Sequence, residues 1–400
     1  MVADSDIDLM DLRAFETGAD DLVFAHLREA DPLHWNAEPD GPGFWSVTRY
    51  DDVKAVAANC ADFTVVHGTQ IASRRAEGEG GRSIHHLDPP EHGPLRRLVT
   101  PHVRPGRMKA LEADVTAVID DLLDRALDAG ELDFVAAIAA QLPLVMIGRL
   151  LGAPVRDCPH LLRWTNQMAS EDPDYSEGPE TAVRAREEVF DYFRALEEQR
   201  RACPADDLVS VLTAAEIDGK PLDRGYLDAY YLVLMIAGNE TTRNLLSGGV
   251  VALQENPQWW AEIREHPDRI RVLVEEMIRW VSPVLCMRRT AVRDIEMYGK
   301  TIRAGDKVVM WFCSANRDER TFPGAARFIG DRHPNEHLGF GWGEHACLGG
   351  HLARMEARLF FTRLVERDID LRVLGDPARL RSNFFRGIKT LPVALGRRDG

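Results

Sequence analysis

The sequence predicts a mainly α-helical fold with a smaller β portion. Three observations carry that expectation. Apolar residues recur at helical spacing through most of the chain, whereas strand-like alternation is confined to short pieces. The 400 residues contain no internal repeat and no low-complexity linker, so length alone allows one large domain or two to three small ones. Hydrophobic residues make up 45% and charged residues 28%, proportions suited to a globular protein that buries a large core.

The elements follow in chain order. Met1 to Met10 carries three aspartates and no basic residue, unlike a secretory leader, and roughly the first 20 residues are expected to be flexible. A strand is expected near 43–48. From His67 to Ser83, the glycines Gly68, Gly78, Gly80 and Gly81 with Arg74, Arg75 and Arg82 leave little to pack, so a solvated loop is expected. Asp88 before Pro89-Pro90 reads as a helix start, since proline fits the first turn. Beyond it His92 and Arg96 are four apart and share a face.

Helical patterns then cover 108–129, 133–152, 181–201 and 223–255. The last would run roughly 48 Å at 1.5 Å per residue, and it contains Ala237-Gly238-Asn239-Glu240-Thr241-Thr242. Glycine and two threonines are poor helix formers. Their presence marks a distorted turn with room for a small molecule, flanked by the Glu240 acid and the Thr241 hydroxyl. A kinked core helix with a solvent-facing Glu-Thr pair is the plainer alternative. Asn256-Pro257 punctuates the chain before helices at 257–265 and 267–281. In the second of these Glu276 and Arg279 are three apart, which on a solvated helix is an ordinary ion pair of little worth. Short strands are expected at 293–303, broken by Gly299-Lys300, and at 307–313. A helix at 347–366 and strand-like alternation at 383–396 complete the chain.

Net charge is −15, which argues against nucleic acid as a general partner. The longest apolar run, residues 229–238, is too short to cross a bilayer. Six scattered cysteines without a CxxC pair suit a reducing compartment. A soluble, cytoplasmic protein is therefore expected.

The chemistry concentrates in Phe340-Gly341-Trp342-Gly343-Glu344-His345-Ala346-Cys347-Leu348-Gly349. Glycines let this backbone bend sharply and approach a ligand closely. Leu348, Leu352, Met355 and Leu359 repeat at helical spacing, so Cys347 is expected at a helix start, where free N–H groups favour its thiolate. A thiolate so presented is a ligand for iron. A small buried hydrophobe is the bland alternative. A zinc site from His345, Cys347 and His351 is another, although a structural zinc normally needs four ligands.

The whole string resembles the haem-binding loop of the cytochrome P-450 family, where Phe, Gly, Gly, His, Cys and Gly hold the same relative places. The resemblance runs from about Gly43 to Leu395 and implies a single haem domain over 1–400 with no fused reductase. It implies haem b with Cys347 as the iron ligand, O2 as co-substrate, and Phe340, Gly341, His345 and Gly349 around the haem. Residues 237–242 resemble the family's oxygen-binding helix, with Glu240 and Thr241 as the proton-relaying pair. His92, Arg96, Arg289 and His345 match its propionate contacts, and Arg288 could stand in for Arg289. Glu276 and Arg279 match a buried ExxR pair whose downstream partner is Arg317. Phe328-Ile329-Gly330-Asp331-Arg332 departs from the family, where an aspartate usually follows the phenylalanine.

By the same resemblance, Val233, Ile236, Ala237, Val284, Leu285, Met287, Phe384 and Phe385 would line the substrate pocket, and the loop at 67–83 would close over it. The implied activity is monooxygenation of a hydrophobic small molecule, terpenoid or steroid-like, by a monomer. Electrons would come from a separate ferredoxin and its NAD(P)H-dependent reductase. A basic stripe of His351, Arg354 and Arg358, with Arg97, Arg104 and Arg107, would dock that ferredoxin. Oxidation of another natural-product scaffold, a peroxide-driven peroxygenase and a haem sensor without turnover are the rivals.

Overall fold

A computed structural model describes residues 7–72, 83–169 and 178–398. Its helices begin with α1 (Leu12–Thr17), α2 (Asp20–Ala30), α3 (Tyr50–Ala58), α4 (His92–Val103), α5 (Pro105–Ala129), α6 (Gln141–Leu151) and α7 (Cys158–Ala169). They continue with α8 (Pro179–Ala202), α9 (Leu208–Thr213), α10 (Arg224–Glu255), α11 (Pro257–Glu265), α12 (Ile270–Val281), α13 (Phe312–Ala315) and α14 (Gly350–Glu366).

Local chemistry explains the boundaries. Proline opens α5, α8 and α11, where its missing N–H costs nothing. The Asp223 side chain caps α10 by accepting from the Tyr226 N–H at 3.2 Å. On α12, Ile270, Leu273, Val274, Met277, Ile278 and Val281 form one buried stripe at helical spacing.

The sheet that positions the site has the order Leu33–Asn36, Phe44–Val47, Lys307–Trp311, Cys286–Ala291, Phe63–Thr64. Val308 pairs with Arg289 and Val309 with Arg288. Successive side chains on a strand point to opposite faces, so the two arginines cannot share a role. The N-terminal stretch expected to be flexible packs on this sheet from Leu9 onward. Leu9 and Phe15 are buried, and Phe15 stacks on Trp311 with ring centroids 5.8 Å apart.

Several boundaries differ from the sequence expectation. The helix placed at 347–366 starts at Gly350, so Cys347 lies before its first turn. The pattern at 133–152 divides into a π-helical turn, Val135–Ala139, and α6. The strand expected to reach 313 stops at Trp311, where α13 begins. Asp88 does not start a helix. Its carboxylate accepts from the Val65 N–H at 3.2 Å and from the Thr64 hydroxyl, and α4 begins at His92. Of the loop at 67–83, residues 73–82, with Arg74, Arg75, Gly78, Gly80, Gly81 and Arg82, lie outside the described residues.

Helix α10 runs 32 residues, about 48 Å, without interruption, so no widened turn interrupts it at 237–242. Gly238 has a packing reason instead. A Cβ there would meet Ile147 side-chain atoms of α6 at 3.0 Å.

Candidate active site

A cavity of about 1710 Å³ opens between α4, α8, α10, the strand Cys286–Ala291 and the Cys347 loop. Gly341 and Gly343 bend that loop with φ of 67° and 74°, values that side-chain-bearing residues rarely adopt. The Cys347 N–H donates to the Phe340 carbonyl at 2.8 Å and closes the turn. The Cys347 side chain opens into the cavity. Burial pushes its thiol up, and the N–H groups of Gly349 and Gly350, with Arg96 and Arg354, only oppose this. Burial thus opposes the thiolate that the loop N–H groups favour, and a bound cation would tip the balance toward it. Among the described residues no three His, Cys, Asp or Glu side chains gather as a metal site, so His345, Cys347 and His351 do not form the zinc alternative.

One end of the cavity is cationic. His92 and Arg96 rise from α4, Arg289 from its strand and His345 from the loop, and all four line the cavity. The two imidazole rings lie 4.4 Å apart. His92 Nδ1 and His345 Nε2 are buried without a hydrogen-bond partner. Burial first, then Arg289, His92 and Arg96, hold His345 down to about 3. Burial also lowers Arg289 to about 10, and among the described residues no carboxylate pairs with it. Arg96 donates to the Ala346 carbonyl at 2.6 Å, which ties α4 to the cysteine loop. Arg288 faces the other way, toward the carbonyls of His67, Gly68 and Ile71, which leaves Arg289 as the cavity arginine. The buried Arg289 and half-buried Arg96 guanidinium groups, neither with a carboxylate partner among the described residues, and two unpartnered ring nitrogens make a site suited to a dianion.

The opposite wall is α10. Val233, Ile236, Ala237, Gly238, Thr241 and Thr242 line the cavity, and the Thr241 hydroxyl donates back to the Ala237 carbonyl at 2.9 Å. Glu240 does not line it. Its carboxylate is buried on another face of α10 and paired with Arg243, which also donates to Asn166 of α7 at 2.9 Å. Burial raises the Glu240 pKa against the pull of Arg243. The acid expected beside the Thr241 hydroxyl is therefore sequestered from the cavity.

Val284, Met287, Phe384 and Phe385 line the cavity as expected, together with Phe340, Gly341 and Gly349. Leu285 does not. It sits in a second core with Phe15, Phe24 and Trp311, and its N–H donates to the Phe384 carbonyl at 2.8 Å. Leu245 was missed, although it follows Thr241 by one helical turn on the same face. Phe190 of α8 also lines the cavity, and its amphipathic pattern alone gave no sign of that.

Beneath the loop, Glu276 and Arg279 form a bidentate pair at 2.7 Å on both arms with no solvent exposure. Their third partner is Arg332, whose Nε reaches Glu276 at 3.1 Å. Arg317, assigned that role in the sequence, instead stacks on Trp280 at 3.6 Å and faces Asp21 at 3.5 Å. The segment that departs from the family pattern is the one that delivers Arg332. The Ile329 N–H also donates to Glu276, at 2.8 Å. Asn316 links the network onward: its carbonyl accepts from Arg279 at 2.7 Å and its side chain accepts from the Leu338 N–H at 2.7 Å.

The basic stripe is largely neutralised. Arg354 is bidentate to Glu275 at 2.7 and 2.9 Å, Arg358 pairs with Glu112, and Arg107 pairs with Asp206 at 2.7 Å. Among the described residues His351, Arg97 and Arg104 make no ion pair.

Comparison with known proteins accords with this geometry. A family profile described as Cytochrome P450 matches residues 270–367. Linalool 8-monooxygenase of Pseudomonas putida is 36% identical over 93% of this chain and 95% of its own length. Steroid C26-monooxygenase of Rhodococcus jostii is 36% identical over 92% of this chain and 80% of its own. A Mycobacterium marinum cytochrome P450 solved with pseudoionone superposes with a TM-score of 0.90 at 34% identity, covering 96% of this chain and 97% of the other. No helix among the described residues is long and apolar enough to cross a membrane. A cysteine presented to a cavity that also gathers four anion-seeking donors is what a haem with two propionates requires, and with relatives of this identity and coverage the chain belongs to the cytochrome P450 family of haem monooxygenases.

Proposed function

We propose that the chain hydroxylates a terpenoid or steroid-like molecule, with haem b held by Cys347. The observation that carries this reading is one cavity lined by the Cys347 loop, by the four donors His92, Arg96, Arg289 and His345, and by an apolar stretch of Val233, Ile236, Ala237, Val284, Met287, Phe384 and Phe385. His92, Arg96, Arg289 and His345 would hold the propionates, which would relieve the unpartnered ring nitrogens of His92 and His345. Phe340, Gly341 and Gly349 would lie against the macrocycle edge. Thiolate-ligated haem supplies oxygen activation when bound. Val233, Ile236, Ala237, Val284, Met287, Phe384 and Phe385 exclude water and hold an apolar substrate. The Thr241 hydroxyl stands where a proton can be passed into the cavity, and Glu240 acts at one remove through its pair with Arg243. Linalool, a steroid and pseudoionone, the molecules named for the relatives, are all hydrophobic.

Electrons would come from a separate ferredoxin and its NAD(P)H-dependent reductase, with Arg97 and Arg104, which make no ion pair among the described residues, and the His351 ring to meet an acidic partner. The test begins with the carbon monoxide difference spectrum of reduced wild-type protein and of Cys347→Ser, which should lose the thiolate signature. Spin-shift titration across terpenoids, steroids and fatty acids then reads substrate class, and turnover with ferredoxin and NAD(P)H is compared with turnover on hydrogen peroxide. A spin shift from fatty acids alone, or turnover with peroxide alone, would refute the reading.

A further inference from the structure

Arg288 and Arg289 are neighbours on the strand Cys286–Ala291, and only Arg289 lines the cavity. Arg288 points to the other face, is 2% exposed, and engages a segment that is itself cavity wall. The strand Phe63–Thr64 pairs antiparallel with Cys286–Ala291, with Thr64 opposite Thr290. Continued in register, it would set Val66 opposite Arg288. Instead the Arg288 N–H donates to the Thr69 carbonyl at 2.8 Å, so the backbone between bows out of the sheet as an arch. Val66, His67, Thr69 and Gln70 of this arch line the cavity.

A guanidinium fills the inside of the arch. Arg288 donates from Nε to the Gly68 carbonyl at 3.3 Å, from Nη1 to the Ile71 carbonyl at 3.4 Å, and from Nη2 to the His67 carbonyl. Lys307, held by Glu38 at 2.7 Å, donates to the same Ile71 carbonyl at 3.0 Å. Gly68 has a φ of 108°, and a Cβ there would meet Arg288 Nη2 at 3.0 Å. Backbone and guanidinium are thus fitted to each other. Beyond them the Thr69 hydroxyl meets His86 Nε2 at 3.3 Å. A planar fork of five donors holds several carbonyls at once, whereas a lysine ammonium is a point charge on a flexible stem.

We propose that Arg288 is a specificity-determining positioning residue, which fixes the arch at 65–71 and so sets the space left for a substrate. This rests on the monooxygenase reading and adds a determinant of fit to it. Arg288 does not line the cavity and acts only through the arch. A wall fixed beforehand spares a bulky ligand the cost of ordering it, and a ligand too small to reach the wall gains nothing.

The haem-loaded protein is titrated with imidazole and with clotrimazole, an imidazole that carries three aromatic rings. Both bind haem iron through nitrogen and are read by the same spectral shift, whatever the natural substrate is. Arg288→Lys and Gly68→Ala should each keep wild-type haem content and weaken clotrimazole about tenfold, with imidazole changed less than about twofold. Hydrogen exchange of peptides covering 65–71 should be about tenfold faster in both variants, with α12 unchanged. Equal exchange over 65–71 in wild type and variants, or clotrimazole and imidazole weakened by one factor, overturns the proposal. Haem loss in Arg288→Lys overturns it too, by placing that arginine beside Arg289 in haem binding. Failure of the wild-type carbon monoxide spectrum would instead strike the haem-thiolate reading, and the exchange result is independent of it.

Discussion

Two buried carboxyl groups, one on α12 near the cysteine loop and one on α14 beside α10, sit in opposite circumstances. Glu276 on α12 receives both arms of Arg279, the Arg332 guanidinium, the Ile329 N–H and the Asn335 amide. Glu356 on α14 has no cationic partner among the described residues, and only the Thr242 side chain opposes the effect of its burial. Both have no exposed surface. A fully satisfied buried charge fixes the chain around it, whereas a buried carboxyl without a cation stays neutral. The first kind of region holds the geometry of the site, and the second leaves a neutral acid in the core.

The comparison predicts its largest effect at Glu276→Ala. Removing one partner of a buried pair costs about 3–5 kcal/mol, and here it also leaves Arg279 and Arg332 without a carboxylate. Denaturant unfolding and haem content should both report the loss, and normal haem content would break the assignment. Arg332→Ala should be milder. Hydrogen bonds to a charged group are worth about 1.5–3 kcal/mol, and Arg279 still holds Glu276 in that variant. Arg317→Ala should leave the Glu276 pair untouched and act only through Trp280 and Asp21. Haem loss in Arg317→Ala equal to that in Arg332→Ala would restore the role that the sequence assigned to Arg317.

The sequence made some of this plain and concealed the rest for identifiable reasons. Local backbone demands are partly readable: the glycines of the cysteine loop, Pro257 at the start of α11 and the apolar stripe of α12 did what their chemistry requires, whereas Asp88-Pro89-Pro90 opened no helix. Side-chain direction is not readable where two residues of one type are adjacent. Strand pairing, which is not local, separates Arg288 from Arg289. Glu240 was placed beside Thr241 because the two are neighbours in sequence, yet residues one apart on a helix point 100° apart, and Arg243 claims the acid. Arg317 and Arg332 were indistinguishable without knowing which segment passes under α12. Glu356 gave no signal at all, since a glutamate on an amphipathic helix normally faces water.

The pH dependences have opposite signs, and they sharpen the contrast further. Glu275 adjoins Glu276 in sequence but is partly exposed. Burial would raise its pKa, yet His337 and Arg354 outweigh that and lower it to about 2. A folded-state value below the unfolded one means the unfolded chain binds more protons as the solution is acidified. The stability Glu275 contributes is therefore complete above the ordinary 4.5 and is lost as pH falls toward 2. Glu356 runs the other way. With a folded value of about 8 against 4.5, the folded chain binds the extra proton, so its contribution is complete below 4.5 and is lost as pH rises to 8. Denaturant unfolding across pH should show Glu275→Gln flattening the acid limb and Glu356→Gln flattening the decline toward pH 8. A Glu356→Gln variant whose alkaline decline matches wild type would mean that the carboxyl is already ionised at neutral pH, and the contrast with Glu276 would fall with it.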